Sequence, residues 1–282
     1  MSIDVVQLVR DGKGHFEWTE VRSEYNGYQL FPSVMRDAMK FDGMPAMTWK
    51  REPIAGDDRT FDGVRMPATA HELQQIADLL GAMLMTPKVI GHIWTQAGLR
   101  FNSIVNIAGQ IVAVSNIHDV HEAIEAAIEA AGGNDGAQLI SCVGKYWCLI
   151  EDLIYKGKVQ GDWAACNYGW FASNASGASL TPGAKCWQRP GFQHNKLHWD
   201  PSQTIRLMYR RALLVHPDKT EEDVDLVDVL QNPDLAPLLT HDGKPMTYLR
   251  QKGVPEEGPL PSHGIITLPE ITITGRRPKN IA

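Results

Sequence analysis

The chain has 282 residues, 43% of them hydrophobic and 21% charged, with a formal net charge of −6. That length allows a sizeable core, and that balance is ordinary for a globular protein. It argues against a general nucleic-acid binder, which carries a basic face, and no run reaches the roughly 18 apolar residues of a membrane span.

The first ten residues lack a basic stretch followed by an apolar one, so no signal peptide is expected. The expectation is synthesis in the cytoplasm, with release or non-classical export left open. Val5 to Val9 and Phe16 to Val21 read as short strands, and Asn26-Gly27 between Tyr25 and Tyr28 is a hairpin-turn signal. Phe31, Val34, Met35, Ala38 and Met39 have helical spacing, which suggests a short helix over Phe31 to Phe41. Asp57, Asp58, Arg59 and Asp62 form a charged loop, open to solvent or to a cation or substrate.

Thr69-Ala-His-Glu72 is a capping box, and Leu73, Ile76, Ala77 and Leu80 continue an apolar stripe to Gly81. A helix over 69–80 follows. Thr86-Pro87 places an N-cap before a proline at the first helical position, which starts a second helix over 86–98. A strand is expected at Gln110 to Ser115. A third helix is expected over 118–131, stopped by Gly132-Gly133. His118 and His121 at its start could share a face and hold a metal, or merely cap and pack.

Gln138 to Val143, Tyr146 to Ile150, Ala164 to Phe171 and Thr204 to Val215 read as strands, with a Gly/Ser-rich loop over Ser173 to Gly183. Thr220 to Leu230 reads as a short acidic helix. None of the four cysteines forms a C-x-x-C pair; Cys142, Cys148 and Cys166 are expected as buried thiols. From Gln251 a Pro/Gly linker leads to a strand at Ile265 to Thr274, which could pair with the edge of another chain. The domain reading is one α+β domain over 1–250 and a linker with a strand tail over 251–282. The fold class is a mostly antiparallel sheet with three or more helices packed to one side.

The densest chemistry lies in His194 to Arg206. His194, His198, Asp200, Ser202 and Arg206 are all even-numbered, so along an extended segment they would share a face. Three readings follow. His194 could act as a general base oriented by Asp200, with Ser202 or Cys166 as nucleophile and Arg206 or Lys145 stabilising negative charge. His194, His198 and Asp200 could hold zinc. His194 and Asp200 are six residues apart, one fewer than in the familiar zinc-peptidase motif of cell-wall enzymes. Or the row could be structural, with Asp200 and Ser202 bonding backbone at a turn. Lys145, Tyr168 and Trp170 are the supporting residues, the latter two with His198 as substrate contacts.

Several of these segments together resemble an uncharacterised family of bacterial and phage proteins. The matching residues are Phe61, Arg65-Met66-Pro67, Gln75-Ile76-Ala77-Asp78, Thr86-Pro87-Lys88, Ile93-Trp94, Asn167-Tyr168-Gly169-Trp170, and His194, Asp200, Ser202, Arg206 and Leu207. Phe171, His198 and Gln203 depart from the pattern. The resemblance implies shared architecture and a shared site, and its phage members hint at the cell wall. The expectation is a hydrolase of peptidoglycan or another extracellular polymer, with no cofactor or with zinc. The rival is a non-catalytic structural or binding protein of a phage particle or secreted assembly.

Overall fold

The computed structural model describes residues 2–101, 116–133, 138–151, 164–172, 185–192 and 194–259. A two-residue turn seeds the larger sheet. Asn26 and Gly27 both take left-handed φ angles, 48° and 82°, which a type I′ hairpin turn requires. The turn pairs Tyr25 with Tyr28 and so joins strand Ser23–Tyr25 to strand Tyr28–Met35. Strand Met208–Val215 lies on the other side of Tyr28–Met35, and strand Glu221–Asp225 lies beyond it. Trp18–Glu20 and Ala82–Met83 complete six antiparallel strands.

A second, three-stranded antiparallel sheet carries the candidate site. Its order is Lys145–Cys148, Cys166–Ala172, Lys185–Gly191. Apart from a short parallel pair between Leu99–Arg100 and Ile140–Ser141, the named strands pair antiparallel. With five helices among the described residues, the class is mixed α+β.

The helices expected over 69–80, 86–98 and 118–131 form, and two further ones appear, one in place of an expected strand and one shorter than expected. Helix α1 is Val5–Arg10, α2 is Ala70–Leu79, α3 is Pro87–Gln96, α4 is Ile117–Ala130 and α5 is Leu226–Gln231. At α2, Thr69 Oγ1 accepts from Glu72 N at 3.0 Å, and Glu72 Oε2 accepts from Thr69 N at 2.8 Å. Thr86 caps α3 with Pro87 in its first turn, and its hydroxyl also donates to Leu239 O at 2.5 Å. Leu73, Ile76 and Ala77 of α2, and Val89, Ile90 and Ile93 of α3, are buried in one continuous core with both sheets. Trp94 stacks on Phe171 at 5.2 Å, which docks α3 on the site sheet. Cys142, Cys148 and Cys166 are buried, and Cys142 Sγ donates to Phe171 O at 3.0 Å.

Three expectations fail locally. Val5 to Val9 is the helix α1, because Asp4 accepts from both Val6 N and Gln7 N at 3.0 Å. An N-cap outweighs the β-preference of valine. Phe31 to Phe41 is not a helix: Leu30, Pro32 and Val34 alternate inward on strand Tyr28–Met35. Pro32, which lacks an N–H, sits where the register against Met208–Val215 shifts. Thr220 to Leu230 divides into strand Glu221–Asp225 and α5. Arg210 binds Asp225 at 2.7 Å and Arg211 binds Asp223 at 2.7 Å across the ladder, so the basic pair holds the acidic run extended.

His118 and His121 pack instead of pairing as ligands. His118 stacks on Phe61 at 4.6 Å, and His121 Nδ1 lies 3.3 Å from Arg65 Nη1. In the charged loop, Asp57 and Arg59 pair with each other at 2.6 Å. The described start of the linker is fastened down: Lys196 Nζ donates to Gly253 O at 2.6 Å, and Glu257 accepts from Gln75 Nε2 at 2.8 Å. The strand expected at Gln110 to Ser115, the loop Ser173 to Gly183 and the tail strand lie outside the described residues.

Candidate functional site

Lys145 opens the site. Its N–H donates to Ser202 O at 2.9 Å, so the start of strand Lys145–Cys148 runs against the 200–204 turn. The approach is close enough to demand glycine beforehand: a Cβ on Gly144 would fall 2.5 Å from Thr204 Oγ1 and 2.7 Å from Ser202 O. The Lys145 side chain is almost wholly buried and reaches Asp200 Oδ2 at 2.7 Å.

Asp200 shapes its own turn. Its Oδ1 accepts from Ser202 N at 2.9 Å and from the Ser202 hydroxyl. Gln203 N donates to Asp200 O at 3.0 Å, and Gln203 Oε1 accepts from Asp200 N at 2.9 Å. This is an Asx turn closed by a glutamine. On its solvent side, His198 Nε2 stands 3.9 Å from Asp200 Oδ2. The rings of His198 and His194 stack face to face at 3.8 Å and 4°, and His194 meets Trp147 edge-on at 6.5 Å. Trp147 is held in turn by Nε1 donating to Ala68 O at 2.8 Å. The histidine loop is pinned where Ala165 N donates to His194 O at 3.2 Å and His198 N to Asn195 O at 3.1 Å.

Burial pushes the Asp200 carboxyl upward, but the Lys145 ammonium and the Ser202 bonds outweigh it and hold the group below the usual range. His194 is lowered by burial, by His198 and by Lys145, with Asp200 opposing. Burial likewise lowers His198, helped by Lys145 and opposed by Asp200. Near neutral pH the site therefore holds an ion pair beneath two neutral imidazoles.

Four members of the even-numbered row do gather, through turns rather than along a strand: 194–207 contains no strand, and Met208 begins one. Arg206 leaves the row. It is fully buried and spends its donors on Met35 O (2.8 Å), Ile140 O (2.8 Å), Arg36 O (2.7 Å) and Tyr146 Oη (3.1 Å). Backbone stitching of 205–207 to 35–39 puts it there: Met35 N donates to Leu207 O, and Met39 N to Ile205 O. Arg206 is a structural clamp and cannot stabilise charge at the site.

Ser202 is 1% exposed and its hydroxyl is committed to Asp200 rather than to a histidine. Cys166 is buried beside Cys148 in the ladder. Tyr168 is fully buried with its ring edge-on to Phe171 at 5.6 Å, so it lines the core. Trp170 is nearly buried, with φ at 60°, and its ring lies 5.8 Å from Lys145 Nζ. The postulated dyad shifts by one histidine: His198 approaches Asp200, while His194 backs His198.

For zinc, stacked parallel imidazoles aim their lone pairs in separate planes, whereas co-ligands aim them at one point. A set of His194, His198 and Asp200 requires one ring to turn out of the stack. Among the described residues no three His, Cys, Asp or Glu side chains are grouped as ligands.

Sequence reasoning missed Trp147, although it lies on the strand expected at Tyr146 to Ile150, and met Gln203 only as a departure from the family pattern; the observed strand starts at Lys145, so Lys145 and Trp147 share a face. Asn167, named there only within the family-like Asn-Tyr-Gly-Trp segment, is the register partner of Trp147, and its buried amide makes no hydrogen bond among the described residues. Compared with protein-family models, curated proteins and solved structures, the chain matches none. No described helix is long and apolar enough to cross a membrane.

Proposed function

We propose that the chain is a hydrolase of a cell-envelope or other extracellular polymer, with His198 as general base. The observation that carries this reading is a partly exposed, neutral His198 whose Nε2 faces an ionised Asp200 at 3.9 Å. With Nε2–H toward the carboxylate, Nδ1 is left to take a proton from water. The water oxygen attacks the scissile carbon, the imidazolium is stabilised by Asp200, and the proton then passes to the leaving group. Lys145 keeps Asp200 ionised and fixed, and His194 holds the His198 ring in plane.

The test is turbidity loss of purified peptidoglycan and release of ends from other envelope polymers. His198→Ala should lower the rate about 10²–10⁴-fold, and Asp200→Asn should shift the pH profile of what remains. Sensitivity to a chelator would select the zinc version of the site. Absence of wild-type activity on all these polymers would sink the proposal. It would favour the rival reading, a non-catalytic component of a particle or secreted assembly. One observation already leans that way: Ser202 and Lys145 occupy both Asp200 oxygens, as in a structural staple.

A further inference from the structure

We propose that Trp49 and Trp199 form a sugar-stacking platform that extends the His198–Asp200 site into a subsite for β-linked pyranose chains. This rests on the polymer-hydrolase reading and names its substrate class. Among the described residues the exposed large apolar side chains are Tyr25, Trp49 (43%) and Leu197 (50%). Leu197 stands two residues from Trp199, and Trp49 touches it. The two indoles lie 5.9 Å apart at 51°, forming an open V.

The platform is rigidly built. The Arg51 guanidinium lies 4.6 Å from the Trp199 ring centre, within cation–π range. Arg51 is itself buried and donates to Glu72 Oε1 at 2.8 Å, the same glutamate that closes the α2 capping box. Its φ of 61° is a left-handed value that a non-glycine residue adopts at a cost. The 48–52 turn holds it there, through Arg51 N donating to Thr48 O at 2.9 Å and Thr48 N to Glu52 O at 2.9 Å. Strain in this turn places a cation under one indole and presents the other, Trp49, to solvent.

The chemistry of the patch selects the occupant. A pyranose offers a flat apolar C–H face to an indole and hydroxyls to polar neighbours, here His198 and Lys50, whose Nζ lies 5.5 Å from the Trp49 ring. A stable protein partner buries on the order of 1,200 Å² or more, and two indoles with one leucine cover far less. A nucleic acid needs several unpaired cations, yet Arg51 is paired with Glu72 and Lys145 with Asp200, which among the described residues leaves Lys50 alone beside the patch, and the chain carries −6. Trp199 lies between His198 and Asp200 in sequence, which places the platform next to the catalytic turn along the chain.

The experiment is calorimetric titration of the full chain with a soluble β-1,4-linked N-acetylglucosamine hexamer, a β-1,4-linked glucose hexamer and a single-stranded oligonucleotide. At least one sugar should bind, and Trp49→Ala should weaken it about tenfold or more while Trp49→Phe keeps most of the affinity. Trp49 is exposed, and a matching melting temperature will show that the alanine variant folds. Undiminished binding in Trp49→Ala, no binding of either sugar, or binding of the oligonucleotide alone overturns the platform. Because binding is read apart from turnover, glycan binding without hydrolysis supports the platform while counting against the catalytic reading.

Discussion

Lys145 Nζ and Asp200 Oδ2 stand 2.7 Å apart, and the lysine end of the pair is 9% exposed against 25% for the aspartate. The cation is therefore the more deeply committed partner, and the carboxylate is the end that faces the imidazoles. Everything else at the site leans on this pair: the Asx turn uses the other carboxylate oxygen, and both imidazoles feel both charges.

Lys145→Met should destabilise the fold by about 2–4 kcal/mol. The usual cost of stranding one member of a buried pair is about 3–5 kcal/mol, reduced here because Asp200 is partly wet. The pH sign follows from Asp200, whose carboxyl is held low in the folded state by Lys145 and Ser202 against the opposing effect of burial. Its contribution is present above the ordinary carboxylate range and disappears as pH falls through the lowered value. In Lys145→Met that carboxyl should move up, so acid sensitivity shifts to higher pH. Urea denaturation at several pH values checks both; equal midpoints for wild type and variant would contradict the structural importance of the pair.

What could be read from the residues alone was what depends on near neighbours. Thr69 with Glu72, Thr86 with Pro87, and Asn26 with Gly27 each act within four residues, so their spacing is visible in the chain. Val5 to Val9 was equally local but contested, since an N-cap at Asp4 and the β-preference of valine point opposite ways. Arg206 was illegible for a different reason. Its partners are carbonyls at 35, 36 and 140, and no sequence pattern announces that 205–207 will be laced to 35–39. Tyr168 shows the same limit, since a polar tip does not reveal whether a strand face turns to solvent or to Phe171. The gathering of His194, His198, Asp200 and Ser202 was anticipated, although by parity along a strand that does not exist. Two turns bring them together instead, which is why the row loses its last member.

Acid should also weaken the molecule through His92. Burial, helped by Lys88, pushes this imidazole down to about 4, while its ring lies 3.2 Å from Ser23 Oγ. The unfolded chain binds the proton near the ordinary value of about 6.5. Between those values the unfolded state holds more protons, so stability rises with pH and is lost as pH falls from about 6.5 to about 4, by about 3 kcal/mol in all. His121, also lowered to about 4 by burial and by Arg65, adds in the same direction. His92→Gln can keep a hydrogen bond to Ser23 without titrating. Its stability between pH 7 and pH 4.5 should therefore fall less than that of wild type, and parallel losses in the two proteins would refute the assignment.

Gly144→Ala tests whether the site depends on backbone contact as well as on charge. The added methyl would meet Thr204 Oγ1 at 2.5 Å and Ser202 O at 2.7 Å. Thr204 has a rotatable hydroxyl, but Ser202 O is backbone and already accepts from Lys145 N at 2.9 Å. Relief must therefore come from parting strand Lys145–Cys148 from the 200–204 turn, which lengthens the Lys145–Asp200 contact. Overpacking of this kind costs about 1–3 kcal/mol. A purely steric effect would stop at stability. If the contact positions Asp200 as argued, the His198 ring should also titrate differently, because the carboxylate and ammonium it faces have moved. Histidine NMR titration of the folded variant reads this directly. A destabilised Gly144→Ala protein with an unmoved His198 titration would show that the strand and the turn can part without disturbing the site.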